Sequence, residues 1–206
     1  MNKTKQHYPI LFSICTAVLL LISFIMALDK DIWVLEVAPI LLGFPFLFFT
    51  YKYFRFTTLV YVLLLLHFLI LCVGGIYTYA EVPLGFSMQE WFGFTRNNYD
   101  KIGHFAQGFI PAILIREFLL RKSPLTKGKM LSFIIACICL AISAAYELIE
   151  WLVALLKGAS AEDFLGTQGY EWDAQSDMWF ALLGAVAALL LLSRLHDKQL
   201  KSQSKG

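Results

Sequence analysis

The chain reads as an all-α polytopic membrane bundle of about six transmembrane helices, and three observations predict this. First, 59% of its 206 residues are hydrophobic and only 16% are charged, giving a mean hydropathy of +0.67. A soluble domain of this length would expose too much apolar surface, because a core accounts for only about half of a typical composition. Second, six stretches are apolar over close to the ~20 residues of helix that a ~30 Å hydrocarbon layer requires. Third, lysine and arginine gather on alternate connections between those stretches.

The stretches lie near residues 9–28, 33–50, 57–79, 102–120, 130–156 and 177–195. Lys3 and Lys5 precede the first in the manner of a signal peptide. No small-residue cleavage site precedes Asp29, so an anchor is the better reading. Pro39 and Pro45 interrupt the second stretch, which makes it the weakest, and Pro111 is placed to kink the fourth. There is no internal repeat or low-complexity tract, so residues 1–206 read as a single integral membrane domain ending in a polar tail, 197–206. Cys15, Cys72, Cys137 and Cys139 all fall inside apolar runs, which argues against a disulfide framework. The pair Cys137 and Cys139 has neither redox nor zinc spacing. A net charge of +2 is too small to suggest nucleic acid as a partner.

The basic residues set the expected direction. Of the 17, all but Lys30, Arg96, Lys101 and Lys157 lie before the first stretch, between the second and third, around the link between the fourth and fifth, or after the sixth. The positive-inside rule then places both termini in the cytoplasm. Acidic residues show the reverse bias: only Glu117 and Asp197 belong to the basic side. A polar site at the outer face is the expectation.

Three segments carry that site. Asp100 and His104 open the fourth stretch four residues apart, so on a helix they share a face, and the carboxylate could orient the imidazole or share a cation with it. Asp100 could equally be a helix cap. His104 lies a turn inside the span, where an ionisable group is functional by default. Glu147 and Glu150 follow in the fifth stretch, spaced to point to one side. Glu147 would sit about 13 Å below the helix end, at 1.5 Å rise per residue. Two carboxylates at that depth need a cation, a basic group or protons to compensate them, unless Glu147 is simply protonated and bonded to a neighbouring helix. The third segment, residues 158–177, contains Asp163, Gly166, Gly169, Glu171, Asp173 and Asp177. A helix beginning by Asp173 would align it with Asp177, whereas a later start would make Asp177 an N-cap. Asp163 and Glu171 could be solvated loop acids. Tyr170, Trp172 and Trp179 suit an interfacial aromatic belt.

Other polar residues carry less. His67 has no polar neighbour in sequence and reads as a packing or inter-helix hydrogen-bonding residue. His7 and His196 read as interfacial, Glu81 and Glu90 as solvated acids in the loop before the fourth stretch. The basic link 116–129 reads as a topology determinant with anionic headgroup contact.

The segments DKIGHFAQGFIPAILIRE, ISAAYELIEW and FLGTQGYEWDAQSDM, in this order on adjacent stretches, resemble the YjdF family of bacterial inner-membrane proteins, a domain of unknown function. More distantly the plan is similar to the VanZ-like superfamily, which pairs an Asp-Lys…His-Phe helix start with Glu-x-x-Gln and Asp-x-x-x-Asn. Asp100, Lys101, His104 and Phe105 match the first element, Glu147 the second and Asp173 the third. Glu150 replaces the glutamine and Asp177 the asparagine. Both departures add negative charge, which favours a cation. The resemblance implies an inner-membrane location and an envelope role, but no reaction.

The leading expectation is a divalent cation held by His104, Glu147, Glu150, Asp173 and Asp177 beside an envelope lipid or headgroup. Oxygen-rich ligands favour Mg²⁺, Ca²⁺ or Mn²⁺ over Zn²⁺ or Fe²⁺. Membrane lipids are the expected partners. The alternatives are a small proton-coupled transporter and a purely structural membrane protein.

Overall fold

The computed structural model describes residues 8–157 and 168–203. Lys3, Lys5, His7, Asp163 and Gly166 lie outside them. The described residues form eight α-helices: α1 (Tyr8–Met26), α2 (Lys30–Glu36), α3 (Ala38–Thr50), α4 (Thr58–Tyr77), α5 (Pro83–Phe92), α6 (Tyr99–Lys122), α7 (Lys129–Lys157) and α8 (Asp173–Gln203). A 3-10 turn, Tyr79–Glu81, precedes α5.

Three of these, α4, α7 and α8, are long and apolar enough to cross a membrane unaided. The pair α2–α3, bent by 52°, makes a fourth if taken as one broken span. Pro39 starts α3 anew after Val37, which explains the break in the second expected stretch. The other two expected stretches fall short for separate reasons. In α1, a helix of 19 residues, the apolar part described in full is Ile10–Met26. In α6 the flanks carry Asp100, Lys101, Arg116, Glu117, Arg121 and Lys122, which dilute an apolar centre. Pro111 sits inside α6 without ending it.

The central helix is α6, with α4, α7 and α8 packed around it, α1 against α4, and α2 against the C-terminal end of α4. Ile110, Ala112 and Ile113 of α6 are buried in this contact. Its tightest part is the crossing of α6 and α8. A Cβ on Gly108 would come within 1.7 Å of the Ala181 carbonyl oxygen, and one on Gly184 within 2.1 Å of the Phe105 oxygen. Small residues let two backbones approach this closely in a membrane, where dispersion and polar contacts replace the hydrophobic effect between helices.

Local chemistry fixes the ends. Asp29 caps α2, accepting from the amides of Asp31 (2.8 Å) and Ile32 (3.0 Å). Lys30 closes the C-terminus of α1 through the Ala27 carbonyl (2.8 Å) and that of Phe24. Trp33 Nε1 donates to Ser23 Oγ at 3.0 Å, pinning α2 to α1. The loop expected before the fourth stretch contains α5. Pro83 supplies its preset first turn, and Gly93, at φ 66°, closes it in the left-handed region. Glu81 and Glu90 are exposed there, as expected of solvated acids.

Candidate functional site

The close crossing brings the N-terminal end of α6 against the first turns of α8, and Lys101 is the residue this placement serves. Its ammonium lies 2.7 Å from Asp173 Oδ1, 2.7 Å from Asp177 Oδ1 and 3.1 Å from Asp100 Oδ2. An ammonium has three hydrogens, and three carboxylates take them. Arg96 adds a second positive charge, bonded to Asp173 Oδ1 at 2.5 Å and lying 3.6 Å from Asp100. Its guanidinium covers the Tyr170 ring at 4.7 Å from the centroid.

This arrangement settles several expectations at residue level. Helix α8 begins at Asp173, so Asp177 lies a full turn inside it, bonded to Lys101 rather than capping. Asp100 accepts from the Lys101 amide at 2.7 Å and turns its other oxygen to the Lys101 ammonium. It does not orient His104, because two nearby cations outbid a ring one turn away.

His104 faces elsewhere. Its Nε2 is 3.8 Å from Glu147 Oε1 on α7 and 3.8 Å from Asp177 Oδ1 on α8. Those gaps exceed a hydrogen bond. Neither His104 Nδ1 nor Glu147 Oε1 has a hydrogen-bond partner, and both atoms are buried. Gln107, a turn further along, is the side chain close enough to act on the ring as a hydrogen-bonding neighbour, while Nδ1 keeps no partner. Ligand-type atoms of His104, Glu147 and Asp177 all lie within 4.8 Å of one another, as do those of Asp100, Asp173 and Asp177. Three elements therefore converge on His104. Glu150 belongs to neither group; it lies one helical turn beyond Glu147, within range of its charge and that of Glu36.

Glu36 was not singled out from sequence. It lies in the bent second stretch, only 6% exposed, in electrostatic contact with Asp100, Tyr79, Tyr146 and Glu150. Tyr146 Oη donates to the Leu35 carbonyl at 3.3 Å and so ties α7 to the helix that carries Glu36. The Tyr79 ring fills the space left by Gly74 and Gly103, where a Cβ would meet it at 2.2 and 2.6 Å. Arg96, Asn97 and Gln168 were missed as well. Gln168 pairs reciprocally with the Asn97 backbone, at 2.8 and 3.1 Å, and ties the segment before α8 to the start of α6. Gly169, at φ 79°, makes the tight turn expected of it, and Gln168 shares the left-handed region at φ 48°. Trp172 and Trp179 are exposed, as a belt requires.

The other end of the bundle holds a second polar network, and here His196 is corrected. It is fully buried rather than interfacial, because α8 extends past the expected span and carries it against α6. Arg116 donates to His196 Nδ1 at 2.9 Å. A guanidinium only donates, so Nδ1 is the acceptor and Nε2 carries the hydrogen that meets Glu117 Oε2 at 3.1 Å. Glu117 also accepts from Arg121 (2.7 Å), the Thr57 amide (3.0 Å) and the Thr57 hydroxyl (2.7 Å). Arg116, with a second bond to Asp197 at 2.8 Å, is thus an interior residue as well as a basic one. His67, in α4, packs as expected but its Nε2 makes no hydrogen bond.

Comparisons with known proteins agree with a membrane architecture. The chain is 48% identical over 202 residues to the inner membrane protein YjdF of Escherichia coli (strain K12), covering 98% of this chain and 97% of the relative. No solved structure matches it. The family described as "Predicted membrane protein (DUF2238)" matches residues 8–198, and the chain belongs to that family.

Proposed function

We propose that this is a six-span protein of the inner membrane, one domain with both termini in the cytoplasm, whose outward-facing acidic site holds a divalent cation beside an envelope lipid headgroup. The carrying observation is the group His104, Glu147 and Asp177. Two of its polar atoms are buried without partners, and His104 Nε2 stands 3.8 Å from each carboxylate. Neighbouring ligands of one ion with bonds of 2.1–2.5 Å are separated by about 3–4 Å, so small adjustments would close the set on an ion. Two carboxylates and one imidazole suit Mg²⁺, Mn²⁺ or Ca²⁺ better than a thiolate-seeking metal. Charge supports the same reading. Among the described residues, Lys101 and Arg96 are the cations set against Asp100, Asp173, Asp177, Glu147 and Glu150, so a further cation or protons would balance the site.

The test is the metal content and thermal stability of protein purified in detergent without chelator, with native mass spectrometry for retained lipid. Glu147→Gln and Asp177→Asn should lose metal and chelator-sensitive stability together, and Glu150→Gln should lose less. Wild-type protein that carries no metal and melts identically with chelator would defeat the cation reading. A second reading, a proton-coupled carrier, draws on Glu36, a buried carboxylate in the first half of the chain. Proton flux in reconstituted liposomes, lost in Glu36→Gln, distinguishes it.

A further inference from the structure

We propose that Lys101 is a tethered counter-ion that competes with the divalent cation for Asp177, so that ion occupancy and the Lys101–Asp177 salt bridge exclude each other. The inference rests on the cation reading above and adds the device that controls it.

Asp177 belongs to both ligand-type groups, and the same oxygen serves them. Oδ1 lies 2.7 Å from Lys101 Nζ and 3.8 Å from His104 Nε2. An ion drawn onto His104, Glu147 and that oxygen would therefore stand against the ammonium. The Lys101 and Asp177 side chains are only 8% and 5% exposed, so water screens little of the repulsion. Both cations cannot keep the same oxygen.

The surroundings make an exchange feasible. When Lys101 yields Asp177 it keeps Asp173 at 2.7 Å and Asp100 at 3.1 Å, so its charge is never stranded. Asp173 in turn is held by Arg96 at 2.5 Å. The atoms that would take the incoming ion already lie beside Asp177: His104 Nε2, 3.8 Å from Asp177 Oδ1 and from Glu147 Oε1, and Glu147 Oε1 itself, buried and unpartnered. A lysine with three carboxylates, one of them shared with an unsatisfied His–Glu pair, has the layout of a competitor rather than of a simple structural cation.

The experiment titrates Mn²⁺ into the full chain in nanodiscs, following free Mn²⁺ by electron paramagnetic resonance. Lys101→Met should bind Mn²⁺ on the order of tenfold more tightly than the wild type, because the competing charge is gone. Lys101→Arg, which keeps the charge, should show no gain. Should Lys101→Met fail to fold, Lys101→Met/Asp173→Asn removes one carboxylate with the ammonium and preserves the charge balance; a smaller gain in the same direction is expected, because Asp177 is still freed while one attracting charge is lost. Adding Glu147→Gln should abolish binding in each background. If the wild type binds through Glu147 and neither Lys101→Met form binds more tightly, competition is overturned while the cation reading stands. Binding confined to the Lys101→Met forms supports competition and removes the ion from the wild-type protein. No binding in any form overturns both.

Discussion

Lys101 follows Asp100 directly, and neighbours on a helix diverge by about 100°, so adjacency alone does not make them partners. Their pairing arises because the Asp100 side chain folds back over the first turn while Lys101 reaches across to α8. Glu117 at the opposite end is bound just as fully, and this gives a stability prediction. Truncating it leaves His196 Nε2–H and the Thr57 amide, both buried, without their acceptor, and takes one acceptor from the Arg121 guanidinium, which keeps the Arg55 carbonyl. Breaking a buried ionic network by removing one member costs about 3–5 kcal/mol. Glu117→Ala should therefore melt far below the wild type in detergent, and an unchanged melting temperature would contradict this account. Asp197, beyond the apolar part of α8, gives a pH prediction. Burial works to raise its carboxyl, but hydrogen bonds from Lys127 and Arg116 outweigh that and hold it below the usual range. A folded value below the unfolded one means a contribution present above about pH 4 and lost as pH falls through the folded value. Asp197→Asn should flatten that part of the acid limb in a melting-temperature profile.

At the scale of elements, one crossing organises the site around Lys101. Gly108 and Gly184 let α6 and α8 touch backbone to backbone, and that contact sets the distance from Lys101 to Asp173 and Asp177. A side chain at Gly184 must displace the Phe105 carbonyl of the facing helix. Gly184→Leu should cost about 1–3 kcal/mol by overpacking. It should also weaken the Lys101 bridges, because the helices separate above the site. Comparing Gly184→Leu with Gly184→Leu/Lys101→Met by denaturant unfolding checks this: the lysine change should cost less in the Gly184→Leu background than alone. The bent pair α2–α3 has a related role. The break after Glu36 leaves that residue as the last of α2, buried beside Tyr146 and Tyr79 at the end of the bundle that holds Lys101.

Taken whole, the bundle separates its charges by end. The cluster on Lys101 and His104 lies where α6 and α8 begin and α7 nears its finish; the network on Glu117 and His196 lies where α4 begins and α6 ends. With the basic residues favouring the second end, the positive-inside rule predicts that end to be cytoplasmic. Single cysteines in a cysteine-free background provide the measurement. A cysteine within 158–167 should react with an impermeant maleimide added outside intact cells, and one after Gln203 only after lysis. Labelling in the reverse pattern would invert the molecule.

The sequence by itself determined the solvent and the class. Apolar runs long enough for a bilayer leave no other fold, because backbone groups in hydrocarbon must be satisfied within helices. It also marked His104, Glu147, Asp173 and Asp177, since ionisable groups near apolar runs are rare enough to stand out one by one. The tertiary structure decided which of them meet. Spacing along a helix shows which side chains share a face, but it is silent on the face opposite, so Asp100 drew attention to His104 while its partner was the neighbouring lysine. Lys101 enters the sequence reading only as an outlying basic residue and as part of the Asp-Lys…His-Phe start, because a basic residue at a helix end looks like a topology signal; Glu36 escapes notice because it lies inside an apolar stretch broken by prolines. Their importance depends on contacts between α2, α6, α7 and α8 that are up to 111 residues apart in the chain. Such contacts follow from how closely two backbones can approach, a property of the glycines at their crossing rather than of the charged residues they bring together.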